Sequence, residues 1–162
     1  RKVMLGDQWL KHSADYPVYV PRLVNRRGPR FVMRGHGETL VAAPGAAVYF
    51  DEPLLHYNFS KGWAEWRARH LRYAAAEAAR LRSGAGGGFW RALASGDRAT
   101  RRAAARALSY RLPGRPALRF LYAYVLRLGF LDGAAGWRFC REMAGYERMI
   151  DAERRKPNPD AK

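Results

Sequence analysis

Residues 54–63 read Leu-Leu-His-Tyr-Asn-Phe-Ser-Lys-Gly-Trp, and at this point the sequence changes from strand-forming to helix-forming. The short apolar run that ends at His56 is typical of a strand, because turn-forming residues follow it. Ser60 is a good helix cap, and apolar residues recur at helical spacing after it. We therefore predict a strand over 54–57 and a helix that begins near Ser60 and ends near Arg82.

The sequence before this point predicts further short strands. Residues 18–24 and 31–33 flank the turn-forming stretch 25–29, an arrangement that predicts a hairpin. Residues 46–50 are also typical of a strand. The first sixty residues are therefore expected to form short, mainly antiparallel strands.

Helix-forming sequence dominates after residue 60. The glycine-rich stretch 83–88 predicts a flexible connector, since it lacks the Lys-Ser/Thr pair that ends a phosphate-binding loop. Further helices are predicted over three ranges, 97–110, 117–128 and 135–154, with a frayed tail at 157–162. The sequence thus predicts an α+β protein in which short strands precede a bundle of about four helices.

The charge of the chain calls for an anionic partner. The 162 residues carry a formal net charge of +16, most of it on arginine. Nucleic acid, an anionic membrane surface and a phosphorylated substrate all fit such a charge. Cys140 is the only cysteine, so an intrachain disulfide is excluded. The sequence has no apolar run of the length that spans a bilayer, so we expect a soluble or peripheral protein.

Three segments carry a resemblance to a known family. They are Gly-His-Gly-Glu at 35–38, His-Tyr-Asn-Phe at 56–59 and Leu-Gly-Phe-Leu-Asp-Gly-Ala-Ala-Gly at 128–136. Together they resemble the C-terminal part of bacterial family-2 glycosyltransferases of the lipopolysaccharide-core and exopolysaccharide type. The resemblance implies the end of a Rossmann-like catalytic domain at 1–59 and a helical extension at 60–156. The family's Asp-x-Asp metal motif is missing from the chain, so the resemblance covers only the acceptor side of such an enzyme.

The resemblance also implies roles for single residues. Glu38 would be the general base, with His36 beside it, although Gly37 separates two residues that are adjacent in the family. His56 would help to bind a divalent metal, Mg²⁺ or Mn²⁺, whose other ligands lie outside this chain. The alternatives are an exposed loop carboxylate for Glu38 and a core histidine bonded to backbone for His56. Three further residues are expected to bind substrate, namely Arg22, Arg34 and Tyr57. His12 and His70 are expected at the surface.

The predicted helix after Pro116 suits a membrane surface. Its apolar residues Leu118, Leu121, Tyr122, Val125 and Leu128 fall on one face. Beside them, three arginines are available for lipid phosphates, Arg115, Arg119 and Arg127. The alternative is a helix that packs on the catalytic domain or on a second copy of the chain.

The turn after this helix carries two glycines and an aspartate. Gly129 and Gly133 are expected to supply positive φ angles. Asp132 is expected to cap the following helix.

The sequence therefore predicts part of an inverting glycosyltransferase. It would transfer a sugar from a nucleotide-sugar donor to a cell-envelope glycan or lipid-linked acceptor, peripherally at the inner face of the cytoplasmic membrane. Alone it would be inactive, because the donor-binding half is missing. One alternative is a basic nucleic-acid-binding module in which Trp63, Trp66 and Tyr73 alternate with arginines, although their helical spacing favours a core. The other is a membrane-docking or assembly domain without catalytic activity.

Overall fold

The computed structural model of the chain describes residues 1–25, 30–34, 37–41, 48–82, 94–98 and 114–157, together with residues 100, 101, 104, 109, 110 and 112. For residues 33, 34 and 37–39 it describes the backbone alone. This part of the chain is a mixed α+β structure of short strands and helices. The strands are β1 (Lys2–Leu5), β2 (Gln8–Trp9), β3 (Arg30–Arg34), β4 (Gly37–Val41) and β5 (Leu55–His56).

The strands form two small sheets. In the first, β1 lies between β2, which is antiparallel to it, and β5, which is parallel to it. The second is the antiparallel pair β3–β4, with Met33 opposite Glu38. The parallel pairing joins residues that are more than fifty positions apart, and it brings the start of the chain beside the 54–63 stretch.

The predicted hairpin of 18–24 with 31–33 is wrong in its first strand. Residues 18–24 belong to no strand, and β3 pairs with β4 instead. Pro17 and Pro21 explain this, because proline has no N–H to donate to a ladder. Residues 48–50 are also outside any strand, while 46, 47 and the predicted turn residues 26–29 lie outside the described residues. The strand over 54–57 is confirmed, with β5 as its hydrogen-bonded part.

Three α-helices are described, α1 (Gly62–Arg82), α2 (Arg115–Leu121) and α3 (Gly133–Arg155). They confirm the predicted helix after Ser60 and the predicted last helix to within two residues at each end. Among the described residues there are three helices, and the prediction of about four is wrong to that extent. Asp97 does cap a helical turn, since its carboxylate accepts a 2.8 Å bond from the Thr100 N–H. Most of 99–113, the connector at 83–88 and the end of the tail lie outside the described residues.

The core lies between α1 and α3 and includes the loop after β2. Trp66 and Leu10 are fully buried, and Phe59 contacts both Trp66 and Phe139 through its ring. Residues from the strand segment and the helices therefore share one hydrophobic cluster. This packing fixes the position of β5 relative to α1, because Phe59 lies between them in the sequence.

Asp132 joins the loop after β2 to the start of α3. Its carboxylate accepts hydrogen bonds from the Ser13 hydroxyl at 2.7 Å, from the Ser13 N–H at 2.8 Å and from the His12 N–H at 3.0 Å. Gln8 adds a bond from its side-chain amide to the Asp132 carbonyl at 2.7 Å. The carboxylate makes no capping bond to α3. Asp132 thus occupies the predicted N-cap position of α3, but the predicted capping by its side chain is wrong, because the carboxylate oxygens bind a segment more than a hundred residues away.

The turn between α2 and α3 is built around close backbone contacts. After α2 the chain forms a π-helical turn (Tyr122–Leu126) and a 3₁₀ turn (Gly129–Asp132). Positive φ angles occur at Leu128 and Gly133, so the prediction for Gly133 is confirmed and that for Gly129 is wrong. Gly129 is needed for another reason, since a Cβ there would lie 2.5 Å from the Ala123 carbonyl oxygen. Gly136 is similarly confined, with a Cβ position 2.2 Å from the Gly129 carbonyl oxygen.

Candidate functional site

His56 lies at the end of β5, directly before the turn into α1. Its backbone pairs with Val3 of β1, and the Lys2 N–H donates to the Leu54 carbonyl at 2.8 Å. The main-chain nitrogen of Arg1 donates to the Val18 carbonyl at 2.7 Å, which holds the 18–25 segment beside the start of β1. The imidazole is half-buried. Three distant parts of the chain thus meet around His56.

The charges that act on His56 are all positive. Burial lowers the pKa of the imidazole below its usual 6.5, and the guanidinium groups of Arg1, Arg22 and Arg69 lower it further. Arg69 comes from the first turns of α1 and donates to the Asn58 carbonyl at 3.2 Å. A neutral imidazole with three guanidinium groups acting on it would suit an anion, because guanidinium groups bind phosphate oxygens in pairs of hydrogen bonds. We call His56, Arg1, Arg22 and Arg69 the basic cluster.

The basic cluster suits a divalent metal poorly. A metal ion beside His56 would face the repulsion of three guanidinium groups, and no carboxylate among the described side chains contributes to the charge at His56. Within the described ranges, no three His, Cys, Asp or Glu side chains come close enough to bind a metal together. His56 therefore provides at most one ligand, and a metal would need its remaining ligands from outside this part of the chain.

Of the other residues of the predicted active site, Glu38 and Arg34 are placed by their backbone alone. Glu38 is in β4, opposite Met33, and Arg34 is the last residue of β3, opposite Gly37. His36 lies outside the described residues. Tyr57 is exposed and follows His56 directly. The structure thus brings Arg22 and Tyr57 near His56.

The helix after Gly114 exposes an apolar stripe. Leu118, Leu121, Tyr122, Val125 and Leu126 have exposed fractions of 47%, 51%, 50%, 47% and 74%. We call these five residues the helical surface. Ala123, on the opposite side of the same helix, is buried in the core. Four of the five residues predicted for the apolar face belong to this surface, and the fifth, Leu128, lies just after the helical turn and is 45% exposed. The helical surface points away from the core.

The three predicted membrane arginines occupy different environments. Arg115 is buried, binds Glu147 through both carboxylate oxygens and lies over the Tyr110 ring, so it does not belong to the surface. Arg127 is occupied by Asp15 and by the Ala14 carbonyl. Arg119 is half-buried beside the helical surface. Of the three arginines, Arg119 is the one that forms no ion pair with another described residue. It therefore stays available to a lipid phosphate.

Two polar side chains, those of His70 and Cys140, are buried, and His70 is the one that the sequence predicts at the surface. His70 is buried, stacks on Trp66 at 3.7 Å between ring centroids and bonds the Trp66 carbonyl through Nδ1, so its prediction as a surface residue is wrong. Cys140 is buried as well, and burial raises the pKa of its thiol to about 11. A thiol that stays protonated near neutral pH is unsuited to act as a nucleophile.

Sequence reasoning missed Arg1 and Arg69 as members of the basic cluster. Arg69 is one of several arginines on α1, and its sequence position does not set it apart from the others. The parallel pairing of β1 with β5 brings Arg1 beside His56, and the bond to the Asn58 carbonyl holds Arg69 close to the same turn. That pairing is a long-range contact, and no periodicity within the sequence predicts it.

No protein-family model, no curated protein and no solved structure gives a significant match to this chain. Across the described ranges, every helix is too short or too polar to cross a lipid bilayer.

Proposed function

We propose that this chain is the acceptor-side part of an inverting glycosyltransferase, formed by the end of a Rossmann-like catalytic domain and its helical extension. It would transfer a sugar from a nucleotide-sugar donor to a cell-envelope glycan or lipid-linked acceptor, peripherally on the inner face of the cytoplasmic membrane. The observation that carries the proposal is the basic cluster, in which His56 ends a strand among three arginines. Such a site matches the diphosphate of the donor.

The chemistry assigned to these residues is charge neutralisation and proton transfer. The acceptor hydroxyl oxygen attacks the anomeric carbon while the bond to the diphosphate oxygen breaks, and Glu38 takes the hydroxyl proton. Arg1, Arg22 and Arg69 stabilise the negative charge that develops on the departing diphosphate. A divalent metal, Mg²⁺ or Mn²⁺, would be held by carboxylates of the donor-binding half with His56 as at most one further ligand, and would supply additional positive charge for the diphosphate.

An exposed apolar region beside the strands supports an interaction with a donor-binding half. The 18–24 and 48–50 segments meet through the Tyr19 and Tyr49 rings, which lie edge to face at 5.0 Å. Leu23, Val48 and Phe50 are largely exposed there. Exposed apolar groups that cluster in this way mark a contact surface, and a catalytic domain would cover them.

The diphosphate assignment is tested by calorimetry with uridine diphosphate and pyrophosphate as probes. Arg69→Gln should weaken binding about fivefold or more, since it removes one of the charges around His56. Arg72→Gln is the matched control, because Arg72 is an exposed arginine one turn further along α1. Equal binding by the two variants would contradict the assignment.

The catalytic assignment is tested in a polypeptide that also contains a donor-binding half. Glu38→Gln should lower kcat by about 100-fold or more, as expected for loss of a general base. Glu52→Gln is the control, because Glu52 is an exposed carboxylate between β4 and β5, and it should leave kcat unchanged. For the 162-residue chain alone we expect no donor turnover, and turnover by it would overturn the proposal that it is one half of an enzyme.

A groove between α1 and α3 favours a second candidate function, nucleic-acid binding. Arg67, Arg141 and Arg148 line it, and Glu142 at its base binds Arg67 at 2.5 Å. A cationic groove follows a phosphate backbone readily. The tryptophans that the sequence offered for base stacking are less suitable, because Trp66 is fully buried and Arg138 covers Trp63 at 4.3 Å.

A further inference from the structure

The helical surface is an apolar stripe at the spacing of one helix face. Leu121 and Tyr122 each lie three or four positions from both Leu118 and Val125, so the four residues share one face of the helix. At about 1.5 Å per residue, the stripe from Leu118 to Leu126 is about 12 Å long. Each of the five side chains is about half-exposed or more. An outward-facing stripe of this kind gains free energy when it is removed from water.

The turn and the next helix extend this apolar region. Leu128, Phe130 and Leu131 are about half-exposed in the turn that follows the stripe. Trp137, at the start of α3, is also half-exposed and packs edge to face on Phe120 at 5.0 Å. Tyrosine and tryptophan side chains that are apolar on one side and polar on the other favour the interfacial layer of a bilayer.

The charges around the helical surface are complementary to an anionic bilayer. Between residues 98 and 141 the sequence holds one acidic residue, Asp132, and that carboxylate is buried and bonded to the loop after β2. Arg119 lies within the stripe's own helix, and Arg138 and Arg141 are exposed on α3. A lipid phosphate at this surface would meet cations without an exposed carboxylate from this segment to repel it.

We propose that the helical surface docks on an anionic lipid bilayer, with its five apolar side chains at the boundary between headgroups and acyl chains. The stripe supplies the apolar contact, and the neighbouring arginines supply attraction to headgroup phosphates. The inference rests on the membrane location in the proposed function and names the surface responsible. Lipid binding requires no glycosyl transfer, so the two proposals fail separately: loss of docking leaves the diphosphate assignment intact, and the reverse also holds.

The experiment is co-sedimentation of the full 162-residue chain with vesicles of phosphatidylcholine, with and without phosphatidylglycerol. We expect binding to the vesicles that contain phosphatidylglycerol. Leu121→Glu should weaken that binding about tenfold or more, because it replaces an apolar contact by a charge that the lipids repel. Leu71→Glu is the matched control, since Leu71 is a leucine on α1 with an exposed fraction of 49%, close to the 51% of Leu121. It changes the net charge equally, and it should weaken binding by less than about threefold.

A second variant guards against a folding defect. Leu126→Glu, at a position 74% exposed, should behave like Leu121→Glu, and both should keep the circular dichroism spectrum and melting temperature of the parent. Equal loss for the Leu121 and Leu71 variants would overturn the proposal, because binding would then depend on net charge alone. The proposal is also overturned if the parent protein does not bind the vesicles. A dimer in sedimentation equilibrium that Leu121→Glu separates would then show that the helical surface binds a second copy of the chain.

Discussion

At the scale of the residue, Asp132 is a buried carboxylate that joins the loop after β2 to the start of α3. It is 4% exposed and accepts three hydrogen bonds from His12 and Ser13. All three bonds go to one carboxylate oxygen, so in Asp132→Asn the remaining amide oxygen can take its place but without the negative charge. We expect the free energy of unfolding to fall by about 2–3 kcal/mol, as for hydrogen bonds to charged groups.

Urea denaturation at neutral pH measures this change. Asp51→Asn, at an exposed carboxylate, serves as the control and should stay within about 0.5 kcal/mol of the parent. A similarly small effect for Asp132→Asn would show that the charge of this carboxylate contributes little to holding the loop after β2.

His56 should make the stability of the fold depend on pH. Burial, followed by the charges of Arg1, Arg22 and Arg69, lowers the pKa of the folded-state imidazole below 6.5. Between that lowered value and 6.5 the unfolded chain binds more protons than the folded one, so the free energy of unfolding rises with pH across this window. As the pH falls below 6.5, we expect His56→Gln to lose less stability than the parent.

Urea denaturation of both proteins over a pH series, with an NMR titration of the imidazole, tests this expectation. The hydrogen bond from Arg67 lowers the pKa of the Glu142 carboxyl below its usual 4.5. Glu142 therefore affects stability only at a pH below 4.5, outside the pH range in which His56 titrates. Parallel pH profiles for His56→Gln and the parent would contradict the assignment of a lowered pKa to His56.

At the scale of the element, the helices could be predicted and most strand pairings could not. Helix α1 follows from periodic apolar residues and a cap at Ser60, which are signals within one segment. The pairing of β1 with β5, and of β3 with β4, depends on contacts between segments. Prolines 17 and 21 were the one local signal against the predicted hairpin.

The site was predictable to the same extent. His56 and Arg22 could be named from their local context, because one ends a predicted strand and the other flanks a predicted turn. Nothing in the local sequence distinguishes Arg115 from Arg119. In the structure, however, Arg115 is buried in an ion pair with Glu147 of α3. Side-chain partners from another element decide which arginines reach the surface.

The junction of the turn with α3 depends on two glycines, and α3 offers a matched comparison. In Gly136→Ala the new Cβ would lie 2.2 Å from the Gly129 carbonyl oxygen, so α3 must shift away from the turn. We expect a loss of about 1–3 kcal/mol in the free energy of unfolding, as for overpacked cores.

Gly145→Ala places the same substitution in the same helix. Its Cβ would meet only the Arg148 guanidinium at 3.8 Å, an ordinary contact. Alanine there should stabilise the fold by about 0.5–1 kcal/mol through its higher helix propensity. Thermal denaturation measures the melting temperature of both variants. If the close contact of Gly136 with the Gly129 carbonyl exists, Gly136→Ala lowers the melting temperature and Gly145→Ala raises it; shifts of the same sign would contradict that contact.

At the scale of the whole molecule, positive charge is widespread, but exposed apolar side chains occur mainly in a few segments. The formal charge of +16 is distributed along the chain, whereas large exposed apolar side chains concentrate in the 18–24 and 48–57 segments and around the helical surface. Charge alone attracts any polyanion. A combination of charge and apolar surface selects partners that also offer an apolar contact, as an anionic bilayer does.

Nucleic acid provides the test of this distinction, because it offers phosphate charge without an acyl interior. We expect single-stranded DNA to bind through charge alone, with a dissociation constant that rises by about tenfold or more between 50 and 200 mM salt. Arg141→Gln in the groove between α1 and α3 should weaken that binding, while Leu121→Glu should change it little beyond its effect on net charge. Fluorescence titrations with oligonucleotides of different base composition measure both effects. If affinity depends on the base and survives high salt, stacking contributes, and the nucleic-acid-binding function would become the better account of this chain.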